Sequence, residues 1–242
     1  RWLINGTYTK VCNAIVLCNA MTEQFEMFPN IKIFSVNNTI SLEGIDYFKS
    51  HSLKKSPREK TLRVLYLSNL IPSKGIQELC CAVQRFDNSD FQVHLDICGR
   101  DGFDAEIDAY VKNITNTSSN IRYHGPIYGE QKFKALLSSD VVALPSYYPT
   151  EAQPICLVEG LFSGSAIIYS NHNYLPDIFN ESVGFCVSPR SVESIVAALE
   201  LCLRAPDDLI KRKLAATIYA SANFSNNDYN EKIKSVVTKQ RF

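Results

Sequence analysis

From about residue 61 onward, short β-branched runs alternate with stretches whose apolar residues recur every three or four positions. The short runs read as strands and the longer-period stretches as amphipathic helices, and their regular alternation marks βαβ units around a parallel sheet. Strands are predicted at 62–67, 92–98, 121–124, 141–144, 166–169 and 184–187. Helices are predicted at 75–86, 105–112, 130–137, 155–163 and 192–203. The fold class that follows is α/β, a doubly wound parallel sheet with right-handed crossovers.

The first forty residues differ. They offer two strands, at 14–18 and 31–36, around a helix at 20–27, and two strands alone make no stable sheet. A polar stretch at 49–60, with His51, Lys54, Lys55, Pro57 and Arg58, then reads as a linker. The expected division is therefore 1–48 as the end of a preceding domain, 49–60 as linker, 61–222 as the main domain and 223–242 as a closing helix. The charged stretch at 206–214 is expected to be a solvated helix face. The chain starts at Arg1, not Met, so further sequence is expected upstream.

The chain has 242 residues, of which 45% are hydrophobic, enough for a packed core and too apolar for disorder. Its 25 basic and 25 acidic residues leave no net sign to draw it onto nucleic acid or an anionic membrane. Any phosphate must be held locally. The eight cysteines follow no zinc or disulfide spacing, and Cys98 and Cys156 lie in apolar runs. Reduced thiols used as small core residues, in a cytoplasmic protein, are the expectation. Triplets such as Asn5-Gly6-Thr7 are matched by chance in a chain rich in Asn and Ser. No apolar run of about 18 residues is present to span a bilayer.

The segment following residue 144 carries the most chemistry. A buried strand ends, a turn-rich loop follows, and Pro154 suits the first turn of a helix. In an open α/β sheet ligands sit there, beyond the carboxyl end of a strand, where free helix N–H groups attract anions. Glu151 lies in the loop and Glu159 inside the helix, so the two carboxylates can flank one ligand and accept from vicinal hydroxyls. A second loop, after the strand at 62–67, brings Lys74 to the next helix start, where it can neutralise a phosphate. Each feature alone has a plainer reading. Two Glu residues near a helix start ordinarily stabilise its dipole, and a lone Lys is ordinarily solvated. Tyr147 and Tyr148 either stack on a base or pack.

Taken together, these two segments resemble the donor domain of retaining GT-B glycosyltransferases of family four. That family's pair of Glu residues separated by seven is matched by Glu151 and Glu159, within Glu151-Ala152-Gln153-Pro154-Ile155-Cys156-Leu157-Val158-Glu159-Gly160. Lys74-Gly75 matches its Lys-Gly. Gly99 matches the Gly after a strand, and His124-Gly125 with Ile127 resembles its turn near the base. The resemblance runs through residues 10–240 and implies a GT-B fold with a remnant of the N-terminal Rossmann-like domain. Val36-Asn37-Asn38-Thr39-Ile40 would be that remnant's end.

The resemblance assigns the diphosphate to Lys74, Gly75 and the N–H groups of Gln153, Ile155 and Cys156. It gives the ribose to Glu159 and the donor sugar to Glu151. One departure stands out: many members carry Arg where this chain has Asn69, and Arg100 is an alternative cation.

The implied reaction is transfer from a UDP- or GDP-sugar with retention, with no obligatory metal or other cofactor. The acceptor would be a glycan or lipid-linked species met through the N-terminal domain, in cell-surface polysaccharide or lipopolysaccharide synthesis. Peripheral membrane association of the full-length protein is compatible with that reading. A catalytically silent nucleotide-sugar-binding or scaffolding domain is the alternative. A dinucleotide-dependent oxidoreductase is disfavoured, since no Gly-x-Gly-x-x-Gly follows the first strand.

Overall fold

A computed structural model describes residues 11–51 and 60–238. Two short strands, β1 (Asn13–Val16) and β2 (Lys32–Ser35), pair in parallel around a 3-10 turn at Asn19–Phe25. That turn replaces the expected helix at 20–27: it fully buries no residue, and Ala20 and Met21, which pack against the core, give too small an apolar face to carry a longer helix. Helix α1 (Leu42–His51) follows, burying Ile45 and Phe48. It occupies the first three positions of the expected linker, because Phe48 and Tyr47 pack on Phe133 with ring centroids 5.5 and 5.2 Å apart. The remaining linker residues, 52–59, lie outside the described residues, as do 1–10 with the Asn5 triplet and 239–242.

Six parallel strands then build the main sheet: β3 (Thr61–Leu67), β4 (Gln92–Cys98), β5 (Ile121–Gly125), β6 (Val141–Leu144), β7 (Ala166–Ser170) and β8 (Gly184–Val187). Their order is β5-β4-β3-β6-β7-β8, so the winding reverses between β3 and β6. Such a reversal opens a crevice at the carboxyl ends of those two strands. All four residues of β6 and all five of β7 are buried, as central strands covered on both faces require.

Between the strands run α2 (Ile76–Gln84), α3 (Ala105–Thr117), α4 (Gly129–Ser138), α5 (Ile155–Phe162), the single turn α6 (Leu175–Ile178) and α7 (Val192–Arg204). The chain closes with α8 (Pro206–Asn223) and α9 (Asn226–Thr238). Helix α2 packs on α3 and α7; α5 packs on α8 and α1, and α1 on α4. Asp104 caps α3 by accepting from the N–H groups of Glu106 and Ile107, and Ser191 caps α7. No side chain caps α5.

The stretch at 206–214 departs from expectation. It belongs to an 18-residue helix whose Leu209, Lys213, Ala216 and Ala220 are buried. Lys213 reaches the core because its Nζ meets Asp140 Oδ1 at 2.6 Å, which gives the ammonium a partner away from water.

Candidate functional site

The crevice at the switch point is lined by the loop after β3 and the loop after β6. The two are stitched together: the N–H of Tyr147 donates to Ser73 O at 2.7 Å. Gly75 closes the first loop with φ 77°, and a Cβ there would lie 2.2 Å from Pro145 O. A side chain at that position would push the loops apart, which explains the Gly after Lys74 in packing terms. The same holds at Gly99, where a Cβ would lie 1.8 Å from Ser68 O at the end of β3.

Lys74 and Glu151 meet in this crevice. Nζ lies 2.7 Å from Glu151 Oε2, with side chains only 15% and 8% exposed. The buried Ser146 donates its hydroxyl to the same oxygen at 2.7 Å. Tyr148 covers the ammonium, its ring centroid 4.6 Å from Nζ. The ring is thereby engaged with a cation inside the protein. Tyr147 is likewise under the guanidinium of Arg190, at 4.7 Å.

The Glu151 loop is pinned from its far side. Asn173, at φ 48°, donates through Nδ2 to Pro149 O at 3.0 Å and Glu151 O at 3.1 Å. His172 Nε2 contacts Tyr148 O at 3.0 Å. An Asn accepts the left-handed conformation more readily than most residues, which accounts for its place in this turn.

Glu159 is buried on α5 and pairs with Lys132 of α4, Nζ to Oε1 at 2.5 Å. Sequence reasoning missed Lys132. Its signal resembles that of Lys74: a lysine in the first turn of a helix that follows a strand of the same edge. Cys156 lies between the two acid–base pairs. Burial pushes its thiol up to about 12; the negative charges of Glu159 and Glu151 act in the same direction, and Lys74 opposes them. Glu151, Glu159 and Lys74 therefore share one environment.

At the start of α5 the first amides have no intrahelical partner, and no side chain substitutes for one. Ile155 is 40% exposed there. The N–H groups of Ile155 and Cys156, with the positive end of the dipole, form an anion-ready edge beside Lys74. Gln153 is buried, with its side chain turned to the residues after β2.

Asn69 is exposed at the end of β3, and its carbonyl accepts from Tyr66 Oη at 3.0 Å. Arg100 is exposed at the end of β4; its carbonyl accepts from Leu70 N–H, binding the two loop bases together. Gly125 carries φ 70° and its carbonyl accepts from Gly99 N–H at 3.0 Å, while Ile127 is buried beneath that turn. The imidazole of His124 lies 2.6 Å from Asp96 on the neighbouring strand. Among the described residues no three His, Cys, Asp or Glu side chains converge as a metal site. Nor is any described helix long and apolar enough to cross a membrane. All eight cysteines are free.

A sheet of this order, with an uncapped helix start, a lysine and two acids at its switch point, defines a Rossmann-like, doubly wound α/β domain. The profile described as Glycosyl transferases group 1 matches residues 48–222, and the chain belongs to that family. No curated protein sequence matches it.

Solved structures share the fold. A glycosyltransferase from Rickettsia africae aligns over 93% of this chain and 62% of its own, at 20% identity and a TM-score of 0.78. HepE of Anabaena, in complex with UDP and glucose, aligns over 99% and 66% at 18% identity, with a TM-score of 0.76. Sucrose-phosphate synthase of Thermosynechococcus elongatus aligns over 94% and 58% at 18% identity, with a TM-score of 0.75. The chain thus spans less than two thirds of the length of each.

Proposed function

We propose that the crevice between β3 and β6 binds a nucleoside-diphosphate sugar and that the chain is the donor half of a retaining glycosyltransferase. The observation that carries this reading is the convergence of Lys74, the uncapped start of α5 and the buried carboxylates Glu151 and Glu159 at one switch point. A diphosphate set on the first turn of α5 meets free N–H groups and the Lys74 ammonium. Glu159 accepts from the ribose hydroxyls, and Glu151 from those of the donor sugar. Lys132 holds one oxygen of Glu159 and leaves the other to the ligand. It also supplies a cation near the nucleotide, where Asn69 stands in place of the family's Arg.

In the reaction the bond from the anomeric carbon to the leaving diphosphate loosens. Charge that develops on the leaving oxygen is stabilised by Lys74 and the helix dipole, which are oriented before the reaction begins. The acceptor hydroxyl attacks from the face the diphosphate leaves and passes its proton to the departing diphosphate oxygen, which retains configuration. Donors of the UDP or GDP series and a glycan or lipid-linked acceptor, met through the first domain, complete the proposal. Cell-surface polysaccharide synthesis at the cytoplasmic side of a membrane is its setting.

A second reading, a domain that binds donor without transferring it, is favoured by one observation: Asn69 stands where many members of the family carry Arg, which takes one cation from the leaving diphosphate.

A thermal-shift panel of UDP-, GDP- and ADP-sugars tests the proposal. At least one raises the melting temperature, and Glu159→Ala reduces that shift. Absence of any shift across the panel overturns it. Donor hydrolysis or transfer by the full-length protein separates the first reading from the second.

A further inference from the structure

The loop that presents the start of α5 is held by a segment far away in sequence. Gln153 is 5% exposed, although a Gln beside an open crevice is ordinarily solvated. Its side chain makes two bonds to residues just after β2: Oε1 accepts from the N–H of Asn38 at 2.5 Å, and Nε2 donates to Asn37 Oδ1 at 3.3 Å. Asn38 Nδ2 returns a third bond to the Gln153 carbonyl at 3.3 Å. The same short segment is also fastened to the junction of α8 and α9. Asn37 Nδ2 donates to Asn223 O at 2.9 Å, Thr39 Oγ1 to Phe224 O at 2.8 Å, and Asn226 Nδ2 to Ile40 O at 3.4 Å. Residues 37–40 and the α8–α9 junction both lie outside the span 48–222 that the family profile matches.

We propose that Gln153 is a positioning residue that completes the nucleotide site through residues outside the donor domain, by clamping the start of α5 to Asn37 and Asn38. Pro154 follows Gln153 directly and its carbonyl accepts the first bonds of α5, from Leu157 and Val158. Any shift of Gln153 therefore reorients the amides of Ile155 and Cys156. In the clamp both polar atoms of the buried Gln153 side-chain amide have partners. Movement of the first-domain remnant and the geometry of the anion edge are coupled through it. This inference rests on the nucleotide-binding reading for its functional consequence, though the coupling itself is a property of the nucleotide-free chain.

The test is a double-mutant cycle of Gln153→Ala and Asn37→Ala in the whole chain, read by UDP calorimetry and by amide hydrogen exchange without nucleotide. Each single variant weakens UDP binding about tenfold, and the double variant is no worse than either. Amides at 36–40 and 155–158 lose protection together. If Gln153→Ala does not fold, Asn37→Ala decides, since the other side-chain hydrogen bond of Asn37 runs to Asn223 O, away from the α5 loop. Variants that lower the melting temperature yet bind UDP as wild type does overturn the proposal. If the wild-type chain binds no nucleotide, the functional reading fails instead, and exchange alone judges the clamp. Opening at both 36–40 and 155–158 then supports it, and opening confined to 36–40 overturns it.

Discussion

Strand β6 has an ion pair beyond each end, and both are short and largely buried. At its amino end Asp140 and Lys213 lie 2.6 Å apart, with side chains 12% and 8% exposed. At its carboxyl end Glu151 and Lys74 lie 2.7 Å apart, 8% and 15% exposed. The difference is in what else each acid does. Asp140 Oδ2 accepts from Arg63 N–H, its own N–H donates to Arg63 O, and its carbonyl accepts from Ala166 N–H. Every one of those bonds ties β6 to β3, β7 or α8, which is a structural task. Around Glu151 the bonds hold a loop in place, and its surroundings are an uncapped helix start, a second acid and a second lysine. Length and burial of an ion pair therefore do not separate scaffold from site. The end of the strand at which it sits does, because a helix that follows a strand of the sheet starts at the carboxyl edge.

Removing one cation from each pair sharpens this contrast. Lys213→Met strands a buried carboxylate and costs about 3 kcal/mol of stability, read from urea unfolding, while nucleotide affinity is unchanged at temperatures where the variant is folded. Lys74→Met also strands a buried carboxylate, so stability falls by a similar amount, but it alone of the two lowers UDP affinity, by about 2 kcal/mol, roughly thirtyfold, in calorimetry at low salt.

Glu159→Ala is next in size. It removes the ribose acceptor and lowers UDP affinity about tenfold. Stability is nearly unaffected, because Lys132, 26% exposed, turns to solvent. The smallest effect is on Cys156. With its thiol pushed up to about 12, the thiolate is scarce at pH 8 and alkylation is slow. Removing the negative charge of Glu159 lowers the thiol's pKa, so iodoacetamide labelling at pH 8, followed by mass spectrometry, quickens about threefold.

The sheet was legible because each strand is a compact apolar run bounded by turn formers, so all six fell within a few residues of their predicted positions. Lys74, Glu151 and Glu159 were legible because spacing around strand ends places them on one edge. Other features were not legible, for definite physical reasons. Lys213 reads as a solvated charge until the partner 73 positions away is known. Lys132 has no local mark of its pairing with Glu159, 27 positions on. Gln153 bonds across 115 residues, and periodicity carries no information about contacts at that range. The 3-10 turn at Asn19–Phe25 departs from the expected helix because no residue of it is fully buried, and how little a segment buries is not marked in its local pattern.

The most direct measurement is calorimetric titration of UDP and GDP into the chain and into Glu159→Ala, side by side. The account predicts saturable one-to-one binding of at least one of them, weakened about tenfold in the variant. No saturable heat with either nucleotide, or equal affinity in both proteins, would contradict it.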